Sequence, residues 1–123
     1  ELVITIDMKS TCLTLSPLPE WKKFEEKVAA LPALDDLAEM LSRFVVGQAK
    51  DLLVDGSGRI LIPPELRGYA QLEKKLVLVG RTQRLEIWSE DNWNAEREKS
   101  QETYRGMLLD RDNMSDALKN LSW

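Results

Sequence analysis

The sequence predicts an α+β fold built twice over, in which two β-hairpins related by a pseudo-two-fold axis each lead into a capped helix and are decorated by further helices. Three observations carry this. Leu13-Thr14-Leu15 with Trp21, and Leu85-Glu86-Ile87 with Trp93, share the pattern L-x-[L/I]-x5-W at a constant 72-residue offset. Each follows a strand-like run, Val3 to Ile6 or Lys75 to Val79, and precedes a charged helical stretch. A repeat of whole supersecondary units is a statement about architecture. Between the copies lies Val54-Asp55-Gly56-Ser57-Gly58-Arg59-Ile60, a glycine-rich turn flanked by apolar runs.

Leu2-Val3-Ile4-Thr5-Ile6 is β-branched and reads as a strand. Asp7 to Ser10 form a turn, and Cys12-Leu13-Thr14-Leu15 alternates as a second strand. Ser16-Pro17-Leu18-Pro19-Glu20 is a helix-start cluster, with serine as the cap and proline in the first turn. Trp21, Phe24, Val28 and Leu31 follow at helical spacing until Pro32. From Ala33 a second helix places Leu34, Leu37, Met40, Leu41, Phe44 and Val45 on one face, a stripe that reads as core, with Gly47 at its end.

Leu52-Leu53-Val54, the glycine turn and Ile60-Leu61-Ile62 read as strand, turn, strand. Pro63-Pro64 end that strand, because proline donates nothing to a ladder but suits the first turn of a helix. Glu65 to about Tyr69 is that helix. Lys75 to Val79 and Arg84 to Trp88 form the second hairpin about Gly80-Arg81-Thr82-Gln83. Ser89 to Asn92 then cap a long helix starting near Trp93, acidic in its first turn as the helix dipole favours. Beyond Lys99 the periodicity fades. The division is therefore 1–50 for the remainder of the first repeat with its linking helices, 51–99 for the second repeat, and 100–123 for a weakly helical or mobile tail.

The glycine turn precedes the hairpin of the second copy. The same offset applied to the first copy falls before residue 1, and the chain opens with Glu1 inside a strand pattern. The sequence thus reads as an N-terminally truncated piece.

The run from Asp55 to Pro63 resembles the D-x-x-G-R-[VIL]-x-[IVL]-P signature of AbrB-like swapped-hairpin DNA-binding proteins. Within that group the chain resembles the MraZ family. Leu13-Thr14-Leu15-Ser16-Pro17-Leu18-Pro19-Glu20-Trp21-Lys22 is similar to the family's L-x-L-x-P-L-P-E-W-E, and Leu78-Val79-Gly80, Glu86-Ile87-Trp88 and Trp93 also look like the family's. The likeness covers most of residues 2–98. It implies two tandem AbrB-like β-hairpin or β-barrel repeats in a bacterial regulator of the division and cell-wall gene cluster. It further implies a ring-like homo-oligomer bound to repeated promoter boxes on double-stranded DNA, in the cytoplasm and associated with the nucleoid. The family's first loop, of D-x-K-G-R type, has no counterpart in this sequence.

Physical reasoning agrees on the loop. Successive N–H groups of a glycine-rich turn form an anion-binding concavity, and an arginine adds a rigid fork. Phosphate oxygens and the O6/N7 edge of guanine are natural targets for that fork. Asp55, Gly56, Ser57, Gly58 and Arg59 are therefore the candidate DNA-binding residues, with Lys50, Arg81 and Arg84 as further candidates. The alternative for Arg59 is a salt bridge to Asp55 that simply closes the turn. Oligomerisation would multiply weak single-loop contacts through effective concentration.

Composition narrows the remaining classes. With no histidine and one cysteine, Cys12, the chain has no Ser-His-Asp or Cys-His pair and no thiolate zinc set. No D-x-D-x-D-G spacing occurs, so no metal and no cofactor is expected. Lone Cys12 reads as a buried thiol, with no intrachain disulfide. No apolar run approaches the roughly 18 residues a membrane helix needs, so no membrane partner is expected, and no small-molecule substrate either. The net charge of −4 argues against a general nucleic-acid coat, yet residues 50–88 carry seven cations against five anions, leaving −6 elsewhere. A carboxylate-metal enzyme using Asp35 and Asp36 or Glu25 and Glu26 is disfavoured, because adjacent helical residues point apart. The alternative kept beside the regulator is a non-catalytic oligomeric scaffold or partner-binding protein with incidental DNA contact.

Overall fold

The computed structural model describes residues 1–121. Two compact units divide at Glu90/Asp91. The first holds a five-stranded antiparallel sheet in the order β3-β1-β2-β5-β4, where β3 spans Lys50–Leu52. Strands β1 (Leu2–Ile6) and β2 (Leu13–Pro17) form one hairpin, and β4 (Leu76–Arg81) and β5 (Arg84–Ser89) form the other. The hairpins join through β2 and β5, with Leu13 opposite Ile87, Thr14 opposite Glu86 and Leu15 opposite Leu85.

This register is the internal symmetry seen directly. Thr14 pairs with Glu86, its own counterpart at the 72-residue offset, and the flanking pairs exchange counterparts across it. A pseudo-dyad therefore passes between Thr14 and Glu86, as the repeat predicts. Helix α1 (Leu18–Ala29) and helix α4 (Glu90–Leu109) begin at the same offset. Ile6 opposite Leu13 corresponds to Gly80 opposite Leu85, the shorter second turn absorbing a two-residue difference in the first strands.

Alternation along the paired strands puts Ile4, Ile6, Leu13, Leu15 and Ile87 on one sheet face. All are buried, and with Trp21, Val45, Leu66, Ala70 and Leu72 they belong to the core. Thr5, on the other face, is buried as well, and its hydroxyl donates to the Val45 carbonyl at 2.6 Å. In the second copy Leu78, the counterpart of Ile4 in the hairpin register, remains exposed.

Three local expectations are corrected. Ser16 is not the cap of α1: it lies buried in β2, which runs on to Pro17, and Pro17 holds the N-cap position without a side-chain bond. The second helix is short and changes type. Helix α2 (Asp36–Met40) is capped by Asp35, whose Oδ1 accepts from Leu37 and Ala38 N–H, and a π-helical stretch follows from Leu41 to Val46. Gly47 N–H reaches back to the Ser42 carbonyl at 2.9 Å, the i→i−5 spacing of a π turn. The wider turn breaks the 3.6-residue stripe. Val45 enters the core and Leu41 packs partly on it, while Leu37, Met40, Phe44 and the pre-helical Leu34 (97% exposed) face outward.

Helix α4 starts at Glu90 rather than near Trp93 and runs to Leu109, well past the point where its periodicity fades. In the second unit it is followed by a 3-10 turn (Arg111–Asn113) and by α5 (Asp116–Lys119), capped by the Ser115 hydroxyl. Trp21 is buried in the core, whereas Trp93 is half-buried.

Candidate nucleic-acid interface

Strand β3 (Lys50–Leu52) leads into the glycine loop and sets its position. It pairs not with Ile60–Ile62, as a hairpin would require, but with β1: Leu2 opposite Leu52, Val3 opposite Asp51, Ile4 opposite Lys50. Ile60–Ile62 lies outside any strand. Ile60 and Ile62 pack partly against the core, Leu61 is 82% exposed, and α3 (Pro64–Tyr69) begins directly after Pro63. The physical reason is competition for β3. The edge of β1 offers free backbone groups, whereas the Ile60–Ile62 arm runs straight into two prolines that donate none.

The turn closes on itself. Asp55 N–H donates to the Arg59 carbonyl at 2.9 Å, and Gly58 N–H donates to the Asp55 carbonyl at 3.0 Å. Asp55 Oδ1 accepts from the N–H groups of Ser57 and Arg59, both at 2.8 Å. Gly58 has φ +79°, a left-handed conformation that favours glycine. Arg59 Nε lies 3.3 Å from Asp55 Oδ2, with the arginine side chain 78% exposed. The bond from Arg59 N–H, then that from Ser57 N–H, holds the Asp55 carboxyl below its usual value. The loop is thus a rigid, exposed turn carrying one arginine whose guanidinium is tethered at Nε.

The further candidates separate. Lys50 sits on β3, which leads into the loop, opposite Ile4. Arg81 and Arg84 face each other across the β4–β5 turn on the far edge of the sheet. Four strand spacings, roughly 19 Å, separate β3 from β4. Arg84 is exposed, while Arg81 pairs with Glu86 at 3.0 Å.

Sequence reasoning missed the environment of Glu86. This carboxylate is buried, accepting from Arg81 at 3.0 Å and from Trp88 Nε1 at 3.1 Å. Asp7, Cys12 and Glu86 bring one donor atom each within 4.8 Å of one another. Burial, then the charges of Asp7 and Glu86, push the Cys12 thiol up to about 12. Tyr69, at the end of α3, donates its hydroxyl to the Asp7 carbonyl at 2.7 Å and also engages that of Ser10, tying the segment after the loop to the first hairpin turn. The approach of Asp7 and Cys12 to Glu86 and the reach of Tyr69 to the first turn have no local sequence signal, because those partners lie far apart in the chain.

Two symmetry-related hairpins, one sheet and an exposed glycine–arginine loop define a duplicated hairpin protein with an exposed polar loop. The family model described as "MraZ protein, putative antitoxin-like" matches residues 45–107. Proteins named transcriptional regulator MraZ from Pseudomonas aeruginosa (strain LESB58), Pseudomonas putida (strain GB-1) and Pseudomonas entomophila (strain L48) are each 48% identical over 95 residues. The alignments cover 77% of this chain and 63% of each relative. This chain belongs to the MraZ family. It spans less than two thirds of the length of the curated relatives it matches.

Proposed function

We propose that the protein is a sequence-specific, double-stranded-DNA-binding transcriptional regulator that acts without catalysis through the Asp55–Arg59 loop. The carrying observation is Arg59 itself, a highly exposed guanidinium on a turn closed by backbone and carboxylate bonds. The relatives' name as transcriptional regulators supports the same reading. In this reading ring-like homo-oligomers present several loops to repeated boxes in the promoter of the division and cell-wall gene cluster, and the protein is cytoplasmic and nucleoid-associated. Avidity then lifts the weak grip of a single loop.

Fluorescence anisotropy with labelled upstream promoter DNA and a shuffled duplex of equal composition tests this. Tighter binding to the promoter, weakening linearly in log salt, is the expected result. Equal affinity for both duplexes overturns it. The outward Leu34, Leu37, Met40 and Phe44 favour a second reading, a self-associating scaffold with incidental DNA contact. Assembly in sedimentation without duplex discrimination would establish that alternative.

A further inference from the structure

Resting on the DNA-binding reading, the loop geometry supports a more specific role for Asp55. Arg59 is not a freely moving cation. Its N–H is held by Asp55 Oδ1 and its Nε by Asp55 Oδ2. A guanidinium engaged at Nε keeps its terminal Nη1–Nη2 edge available for a second, bidentate contact. An exposed ion pair adds little stability, so the consequence of this one lies in geometry.

The two candidate DNA targets make different demands on that edge. Phosphate offers oxygens in several directions, and a mobile cation grips it well. Guanine offers O6 and N7 in one plane along one groove edge, so the fork must be aimed. A carboxylate in a phosphate-facing loop also opposes the electrostatic attraction behind non-specific binding. Specificity is a difference of affinities, and repulsion from the wrong target raises it as surely as attraction to the right one.

We infer that Asp55 is a specificity-determining positioning residue. It fixes Arg59 through Nε so that the terminal fork reads a guanine edge in double-stranded DNA, and its charge weakens the indiscriminate grip on phosphate. Asp55 touches Arg59 and the loop backbone, not the base.

The test compares a duplex selected by the wild-type chain from a random library with its shuffled counterpart. Asp55→Asn keeps one oxygen for the Ser57 and Arg59 N–H groups but turns an NH2 group towards Nε. The expected result is a fall in discrimination of about 5- to 150-fold, the range for one bidentate base contact, with affinity for the shuffled duplex unchanged or raised. Discrimination retained, or an equal loss on both duplexes, overturns the role. Asp55→Glu keeps the charge on a longer arm and should also lose discrimination; wild-type behaviour there shows that charge alone suffices and overturns the geometric argument. This second variant serves where circular dichroism shows Asp55→Asn unfolded.

In an Arg59→Lys background, Asp55→Asn should cost no further discrimination, and an undiminished second loss overturns action through Arg59. Replacing guanine by 7-deazaguanine in the selected duplex removes N7. It should weaken the wild type and spare Arg59→Lys; a wild type indifferent to it overturns guanine as the target. Failure of the wild type to discriminate at all overturns the DNA-binding reading itself. Discrimination that survives in Asp55→Asn removes only the role of Asp55.

Discussion

Arg59 and Cys12 illustrate opposite environments, and each yields a measurement. Arg59 projects into solvent, so Arg59→Ala should move stability by no more than about 0.5 kcal/mol. Its binding loss should be roughly 1–3 kcal/mol per site for a guanine contact, compounded across linked sites. A phosphate-only contact would instead weaken all duplexes alike and flatten the salt slope by about one. A lowered melting temperature with intact affinity would make Arg59 structural. The carboxylate that holds Arg59 has a depressed pKa, so its contribution to the loop is present above the ordinary carboxylate value and is lost as pH falls through the folded one. Binding measured from neutral to mildly acidic pH should therefore show no loss from Asp55. Cys12 lies in the core with its thiol raised from 9.0 to about 12. A raised pKa favours folding fully below the unfolded value and loses that contribution as pH climbs through the folded one, so stability should decline between about pH 9 and 12. At pH 8 iodoacetamide should label native Cys12 only as fast as the chain opens; rapid labelling without denaturant would contradict its burial. Both environments are readable from composition and pattern, an arginine in a glycine-rich turn and an isolated cysteine at the head of an apolar run. The burial of Glu86 is not, because a glutamate alternating with Leu85 and Ile87 looks like the wet side of a strand until Arg81 and Trp88 close over it.

Among the elements, the four hairpin strands, α1 and α3 follow from β-branched runs, turn residues and paired prolines. The failures occur where a distant partner outbids a local preference, as when β3 leaves Ile60–Ile62 for the edge of β1. The π-helical stretch is a second case, since nothing in Leu41–Val46 announces a change of period. Gly47 is what that change demands. A Cβ there would collide with the Arg43 carbonyl, a backbone atom that yields only by reshaping the turn. Gly47→Ala should cost about 1–3 kcal/mol in denaturant unfolding, as overpacking does, and should disturb the position of Val45. Gly56 has open space around it, so Gly56→Ala should stay within about 0.5 kcal/mol and serves as the control. Gly106 sits inside α4 with no neighbour for a Cβ to meet. Gly106→Ala should therefore stabilise that helix by roughly 0.5–1 kcal/mol. Equal effects at Gly47 and Gly56 would show that the π turn tolerates a side chain and that the collision is relieved cheaply.

The duplicated architecture follows from a spacing in the sequence, but its completion across the sheet does not. The 72-residue offset predicts two related hairpins, and the pairing of Thr14 with Glu86 places their axis. That β3 should cover β1 is a long-range choice without a local signal, and it breaks the symmetry. β1 has β2 on one side and β3 on the other, whereas β4, its counterpart, has β5 alone among the described residues. A strand paired on one side turns every second N–H outward. The two-residue turn between Arg81 and Arg84 sets the phase, making these residues a hydrogen-bonded pair and directing the N–H groups of Val77 and Val79 towards β5. Leu76, Leu78 and Gly80 then point theirs away from the sheet. Native-state amide exchange should accordingly alternate along β4, fast at Leu78 and Gly80 and slow at Val77 and Val79, while Val3 and Ile4 of β1 are both slow. Repeating the measurement across protein concentrations, with sedimentation in parallel, tests the homo-oligomer at the same time. Alternation that persists in a sedimenting oligomer places the subunit contacts elsewhere, with the outward Leu37, Met40 and Phe44 as the apolar surface available to them. Uniform slow exchange along β4 from the lowest concentration upward would mean that this edge is covered, and the one-sided pairing of β4 would be wrong.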